Sequence, residues 1–510
     1  MSLAPDAPAE AHTAPAPHLD ARARRAVFFG VFPSIMLPMF MSSLDQTIVA
    51  TALPAIAAQL GEVERVSWIV VAYLVAGTIA APVYGRLGDA LGRKRMLFVA
   101  LSVSMTGSLL CAVSGSMLMI VAGRVVQGLG GGGLMTMAQS LIGEQIPARE
   151  RGRYQGYLAA TFVCSSTIGP VVGGYLTQHI GWQAVFGVTV IAGCIALALA
   201  CRLPTRPGAM GSGGGRLQFD IWGTVFFAAF VTPILLVLYQ LQRFSLGRLW
   251  TIALLLGVAL AALVLFLRQE WRASAPLLPL GVLVQPGIWR TCAMAACIGG
   301  ALISMISFLP MYLQVVRGIS PAEVGFIMLP MTVGVGFGAM LTGRLISLTG
   351  RTTIFPRCGL PVTVLGYAML AIYAPVIPTG ALPWVFALVS VFTGSGMPVV
   401  QMTVQSVAGP RHLGAAAASV QISRQMGAAF GTAMVGAVLF AMLAFQDADL
   451  ASRFAELVQR GPAILANLDE ARRAQVQGEI ADAFAGGYFT MCAFTLVALG
   501  MAWWIPVKRI

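Results

Sequence analysis

An aspartate at position 45 lies deep in the apolar run that starts near residue 27, and it is the only carboxylate well inside any of the first twelve apolar runs. An unpaired carboxylate in hydrocarbon is expensive, so Asp45 must face a cavity or a partner. Arg124, the lone base in the middle of the fourth run, cannot deprotonate and is a fixed counter-charge. A carboxyl group that alternates between wet and dry surroundings loads and releases a proton. Asp45 with Arg124 is thus a candidate proton-coupling pair; a static pair locking two helices is the plainer alternative. In GRLGDALGRKR, from Gly85 to Arg95, Gly85 and Gly92 permit a tight turn, Asp89 can accept charge-assisted bonds, and Arg93 and Arg95 can donate them. That stretch is either a breakable latch or a set of basic topology anchors, the latter being the reading for Lys94. In GPVVGG, Gly169 and Gly173 lie four apart on one helix face and let two backbones approach, while Pro170 allows a bend beside Gly174.

Other chemistries find no residues. None of the eight cysteines forms a C-x-x-C pair, and the four histidines fall in the tail or near loop ends, so no metal or haem site is expected. There is no G-x-x-x-x-G-K-[ST], so the run Gly130 to Gly133 is close packing or a flexible helix rather than a phosphate cradle, and ATP is not the driver. No cofactor, nucleic-acid partner or enzymatic activity is expected.

The elements that must carry these residues follow from composition. Of 510 residues, 58% are apolar and 10% charged, against roughly 25% charged in soluble domains. An all-α polytopic membrane protein follows, and the net charge of +13 is dispersed among short loops rather than clustered. The first 26 residues lack the pattern of a signal peptide. Hydropathy places spans near 27–51, 67–85, 96–114, 117–142, 154–178, 182–201, 220–240, 249–267, 288–315, 324–347, 355–376, 382–408, 414–444 and 485–506, fourteen in all. With a cytoplasmic N-terminus, 22 of the 32 Lys and Arg fall in cytoplasmic segments and four in short outer loops. The positive-inside rule then puts both termini in the cytoplasm.

An internal repeat organises these spans. GRLGDALGR from Gly85 matches GRLISLTGR from Gly343 at an offset of 258, and Gly169 and Gly173 match Gly427 and Gly431 at the same offset. Gly128, Gly130, Gln139, Ser140 and Gly143 match Gly394, Gly396, Gln405, Ser406 and Gly409 at an offset of 266. Each match pairs a span with the eighth one after it. The expected organisation is a disordered cytoplasmic tail (1–26), a six-helix half (27–202), a cytoplasmic linker (203–218), an inserted helix pair (219–268), an amphipathic linker (269–287) and a second six-helix half (288–507) with a periplasmic loop (446–484). Parallel six-helix repeats with a site between them describe a rocking secondary transporter.

At this point the motifs carry a family resemblance. GRLGDALGRKR resembles the loop signature between spans two and three of the major facilitator superfamily. LDQTIVATALP (Leu44 to Pro54), RVVQGLGGGG (Arg124 to Gly133) and GPVVGG (Gly169 to Gly174) resemble the fourteen-span drug:proton antiporters of EmrB/QacA type. Ala50 and Thr51 stand where that family usually has Asn and Val, and Ser165 stands where Gly is common. The resemblance implies a major facilitator fold and a proton-coupled exporter of small amphipathic compounds in a bacterial inner membrane. It also implies a cytoplasmic latch at Gly85, Asp89, Gly92, Arg93 and Arg95, and an occlusion hinge at Gly169, Pro170, Gly173 and Gly174. Ser347 holds the Asp89 position in the repeat, so a second latch should be weaker or absent. The alternative functions are a lipid or lipoconjugate flippase and a dedicated exporter of a native metabolite.

Substrate contacts are less specified. Met41 and Ser42 share a face with Asp45, and Gln127, Tyr312, Gln401 and Gln405 are polar handles on spans that should line the centre. The tenth span has no carboxylate beyond Glu323 at its start, so lipophilic monovalent cations, or neutral and zwitterionic compounds, are the expected substrates. In the loop 446–484, Leu450, Phe454, Leu457 and Val458 suggest one amphipathic stretch, and Val476, Ile480 and Phe484 a second. The loop would cap the exit mouth, contact a periplasmic adaptor, or form a solvated hairpin. A further amphipathic segment, from Pro276 to Val284, is expected to lie on the membrane surface.

Overall fold

Apolar runs in lipid must satisfy their backbone hydrogen bonds internally, and helices do so within one segment. The computed structural model describes residues 30–60, 65–203, 219–241, 249–446 and 470–507. The expected tail 1–26, residues 204–218 of the expected linker and residues 447–469 of the expected loop lie outside the described residues. The first half holds α1 (Phe32–Leu60), α2 (Ser67–Leu91), α3 (Arg93–Ala112), α4 (Met117–Gln145), α5 (Ala148–His179) and α6 (Gln183–Cys201). A pair follows, α7 (Ile221–Leu241) and α8 (Leu249–Arg272). The rest comprises α9 (Pro286–Val315), α10 (Pro321–Thr349), α11 (Ile354–Tyr373), α12 (Leu382–Gly394), α13 (Gly396–Ala408), α14 (Leu413–Gln446) and α15 (Glu470–Trp504). Thirteen segments among the described residues are long and apolar enough to cross a membrane, α12 and α13 together making one of them. The expectation was fourteen. The difference is α1, 29 residues long, whose central Ser42, Ser43, Asp45, Gln46 and Thr47 dilute its apolar content.

The repeat has physical content. Gly92 (φ 99°) ends α2 and Gly350 (φ 67°) ends α10, both at backbone angles that favour glycine, and they stand 258 residues apart. The same offset relates α2 to α10 and α5 to α14. The two halves meet along α2 against α14 and α5 against α10, so each member of one repeat pair packs on the partner of the other. Glycines bring the backbones together at both seams: a Cβ on Gly85 would fall 2.6 Å from the Gly414 carbonyl oxygen, and one on Gly152 would fall 2.5 Å from that of Gly343. Gly85 and Gly343 are themselves the first residues of the two motif copies. The pair α7 and α8 packs on itself, and α7 leans on α2 and α14, covering one seam.

One sequence reading changes, and another gains its contacts. Val476, Ile480 and Phe484 are part of α15, which starts well before the expected 485, and all three are buried in one core with Leu309, Tyr312 and Leu313. Their spacing was that of a helix face, and the face packs inward; the stretch with Leu450, Phe454, Leu457 and Val458 is outside the described residues. From Pro276 to Val284 only Leu280–Leu283 is helical. Leu277 and Leu278 pack with Phe227, Val231 and Phe266, and their N–H groups donate to the Glu270 carboxylate at 3.0 and 3.2 Å. This segment ties the helix pair to α9.

Candidate functional site

Asp45 is 2% exposed, on α1 where it packs on α4 and α6. Arg124 Nη1 donates to Asp45 Oδ2 at 2.6 Å and to Gln127 Oε1 at 2.6 Å. Gln127, one turn on, donates from Nε2 to Asp45 Oδ1 and to Ser108 Oγ, each at 2.6 Å. Thr189 Oγ1 donates to Asp45 Oδ1 at 3.3 Å. Arg124 Nε donates to the Ile69 carbonyl at 3.1 Å, and the guanidinium lies 4.2 Å from the Tyr73 ring centroid. Bonds from α2, α4 and α6 reach the pair directly, and α3 joins through Gln127, which is the condition for holding two charges out of water. The glycines of α4 admit this crowding: Gly130 faces Ser104, Gly131 the Tyr73 hydroxyl, Gly132 the backbone of Gly77, and Gly133 the Tyr84 ring.

α5 closes on the same turn of α1. Gly169 meets Thr47, Gly173 meets Ile48 and Thr51, and Thr47 Oγ1 donates to the Ser165 carbonyl at 3.2 Å. Pro170 and Gly174 do not join this contact: Pro170 is exposed, and a Cβ on Gly174 would meet nothing within 4 Å.

At the α2–α3 turn, Asp89 crosses to the other half. Its oxygens accept the N–H groups of Gly414 (2.9 Å) and Ala415 (3.2 Å), the first turn of α14, where a carboxylate also suits the helix dipole. Arg93 bridges Asp89 (2.7 Å), Glu144 (2.9 Å) and the Pro410 carbonyl (3.2 Å). Lys94 Nζ instead caps the end of α6 through the Cys201 and Leu203 carbonyls, and Arg95 is exposed and joins none of these bonds. In the repeat copy, Ser347 Oγ accepts one neutral bond from the Arg153 N–H at 3.2 Å. Replacing Asp89 with Asn should loosen this closure by about 1 kcal/mol, or roughly fivefold in population. A cysteine placed at the buried Ser140 in a cysteine-free background should then react correspondingly faster with a water-soluble maleimide; an unchanged rate would count against the contact.

Between the halves lies a cavity of about 590 Å³, walled by α1, α2, α4, α5, α7, α9, α13 and α14. Gln401 is on its wall. The other residues expected there lie elsewhere. Met41 and Ser42 are buried inside the first half, Ser42 beside the Tyr73 hydroxyl at 3.3 Å. Gln127 belongs to the ion pair. Tyr312 is buried in the second half against Phe484 and Tyr488. Gln405 donates to the Gln139 carbonyl at 2.9 Å, tying the halves together. Sequence reasoning missed Gln46, Thr78, Gln421, Arg424 and Gln425, all on the wall. Thr78 Oγ1 donates to Gln425 Oε1 across the halves at 2.6 Å. A lone base in the middle of α14 was the available signal for Arg424.

Two pseudo-symmetric helical halves around a central cavity, with a buried charge pair beside it, define a polytopic membrane transporter of small molecules. The family pattern of the Major Facilitator Superfamily matches residues 35–432, and the chain belongs to that superfamily. It is 31% identical over 486 residues to an uncharacterized MFS-type transporter of Mycobacterium tuberculosis, covering 92% of this chain and 68% of that one. It is 30% identical over 412 residues to the multidrug transporter protein MdtP of Bacillus subtilis, covering 79% and 74%. Among solved structures, the human organic anion transporter MFSD10 aligns with a TM-score of 0.65 at 13% identity, covering 93% of this chain and 99% of that one. The proton:xylose symporter XylE aligns with a TM-score of 0.61, also at 13% identity, covering 94% and 96%.

Proposed function

We propose that the protein is a proton-coupled exporter of small amphipathic compounds, of the fourteen-span EmrB/QacA type, with both termini cytoplasmic and α1 counted as a span. Two six-helix halves, 27–202 and 288–507, would rock about the pair inserted at 219–268. The carrying observation is the Asp45–Arg124 pair, sealed inside the first half while Gln46, the next residue, lies on the cavity wall. Asp45 accepts bonds from Arg124, Gln127 and Thr189, an arrangement suited to a carboxylate. Protonation removes the charge that holds α1 to α4, and Arg124 stays in place on the Tyr73 ring and the Ile69 carbonyl. α1 is then free to shift along α5 on Gly169 and Gly173, and the Asp89–α14 contact opens as the cavity changes sides. One charge falling through about 100 mV yields roughly 2.3 kcal/mol, a gradient on the order of fifty-fold for a neutral cargo.

The outward direction is supported by 33% identity over 349 residues to an efflux pump of Dothistroma septosporum. In proteoliposomes with an internal pH dye, addition of a transported compound should drive protons opposite to the compound in the wild type and not in Asp45→Asn. Proton movement in the same direction as the compound would make the protein a symporter, and coupling undiminished in Asp45→Asn would remove Asp45 from the mechanism.

A further inference from the structure

Among the residues on the cavity wall, one carries a charge: Arg424, in the middle of the 34-residue helix α14. Its guanidinium offers five N–H donors, of which one, from Nη2, goes to Gln421 Oε1 at 2.7 Å. No carboxylate among the described residues lies within ion-pair distance of it; the pairs found join Arg93 to Asp89 and Glu144, and Arg124 to Asp45. Gly299 of α9 lets the arginine stem lie close, a Cβ there falling 3.1 Å from Arg424 Cγ. The remaining polar wall is neutral and includes a second unused donor, since Gln401 Nε2 is buried with no partner. A guanidinium at membrane depth without a counter-charge is as costly as the carboxylate that Asp45 would be without Arg124. The first half resolves its charge internally, whereas the second leaves its charge facing the cavity.

We infer that the cavity takes an amphipathic anion, whose carboxylate, sulfonate or phosphate group pairs with Arg424 and whose apolar body rests on side chains such as Phe162, Leu235 and Phe308. The inference rests on the reading of this cavity as the substrate site, and it reverses the expected preference for lipophilic cations, which would meet a like charge in a low dielectric. Arginine suits the task because its planar fork binds acidic groups bidentately. α7 contributes Leu235, Leu238 and Tyr239 to the wall, so the inserted pair shapes the apolar end of the site. Export of an anion in exchange for an entering proton moves two charges in the same sense, so turnover of such a cargo should respond to membrane potential more steeply than that of a neutral one.

The test is equilibrium binding to protein in zwitterionic-lipid nanodiscs, with no proton gradient. The probes are radiolabelled taurocholate as the amphipathic anion and tetraphenylphosphonium as the cation. Taurocholate should bind the wild type more tightly than tetraphenylphosphonium. Arg424→Gln should weaken taurocholate at least about tenfold, and Arg424→Lys, which keeps the charge but not the fork and controls for folding, should fall between Arg424→Gln and the wild type. Tighter binding of the cation, taurocholate affinity unchanged in Arg424→Gln, or binding of neither probe would overturn the inference. Loss of taurocholate binding when acidic lipid is added to the discs would assign Arg424 to a lipid headgroup and also overturn it. Because no gradient is present, Arg424-dependent binding in a protein that moves no protons would sink the antiport reading alone.

Discussion

Arg124→Met should lower the stability of the folded protein by about 3–5 kcal/mol, far more than Asp45→Asn. In the methionine variant Asp45 keeps Gln127 and Thr189 as donors but has no counter-charge inside the first half. Removing one partner of a buried pair leaves the full desolvation cost of the other, and a carboxylate has few other ways to spread its charge. Asp45→Asn leaves Arg124 better provided for, with the Ile69 carbonyl, the Gln127 amide oxygen and the face of Tyr73 all in place. Arg124→Lys should fall between the two, since an ammonium cannot reproduce this fork of contacts. Thermal unfolding in detergent orders the three variants, and the double variant Asp45→Asn with Arg124→Gln should recover much of the loss. If Arg124→Met melts with the wild type, the pair is not the lock that ties α1 to α4.

Which parts of this site could be read beforehand depends on how much a residue's type says about its surroundings. A charge in an apolar run must be answered, so Asp45 and Arg124 were legible as partners. Gln127 was not, because an amide in a helix is neutral enough to face a cavity, a lipid or an ion pair, and only its position one turn after Arg124 places it in the network. Met41 and Ser42 do share a face with Asp45, yet that face points into α2 and α4 and away from the space between the halves. Sharing a face was readable; what the face meets was not. Glycines were more informative than aromatics. Gly92 marked the turn it was read to permit, whereas Gly85, read with it, lies inside α2 and makes the close approach to Gly414. Tyr312 gave no sign that it packs on Phe484 and Tyr488. Hydropathy averaging concealed two features of opposite kind. It let Arg424 pass among the small apolar residues of α14, and it cut the start of α15 away because charged residues alternate there with the buried stripe Val476, Ile480 and Phe484.

Gly85→Leu should reduce transport on the order of a hundredfold while leaving the protein folded. The Cβ alone would lie 2.6 Å from the Gly414 carbonyl oxygen and 3.1 Å from the Ala418 methyl, and the obstacle is backbone. Overpacking costs about 1–3 kcal/mol where neighbours can shift; here the first turn of α14 is also held by Asp89, so the upper end applies, equivalent to roughly a hundredfold in the closed population. The cost falls only on the conformation in which α2 and α14 cross this closely, so the open one gains by default. A transporter that cannot close at this end cannot return its site to the other face, and turnover fails although either half is intact. The cysteine at position 140 should therefore react in Gly85→Leu as fast as when the Asp89 contact is fully open, and adding substrate should not slow it. Gly257→Leu, on the exposed side of α8 with nothing within 4 Å of its Cβ, is the matched control and should transport like the wild type. Gly343→Leu, at the seam of α10 with Gly152, should reproduce the Gly85 effect, because both crossings must form in the same rigid rotation of the halves. Transport retained in either seam variant would mean that the two halves do not move as units about these glycines.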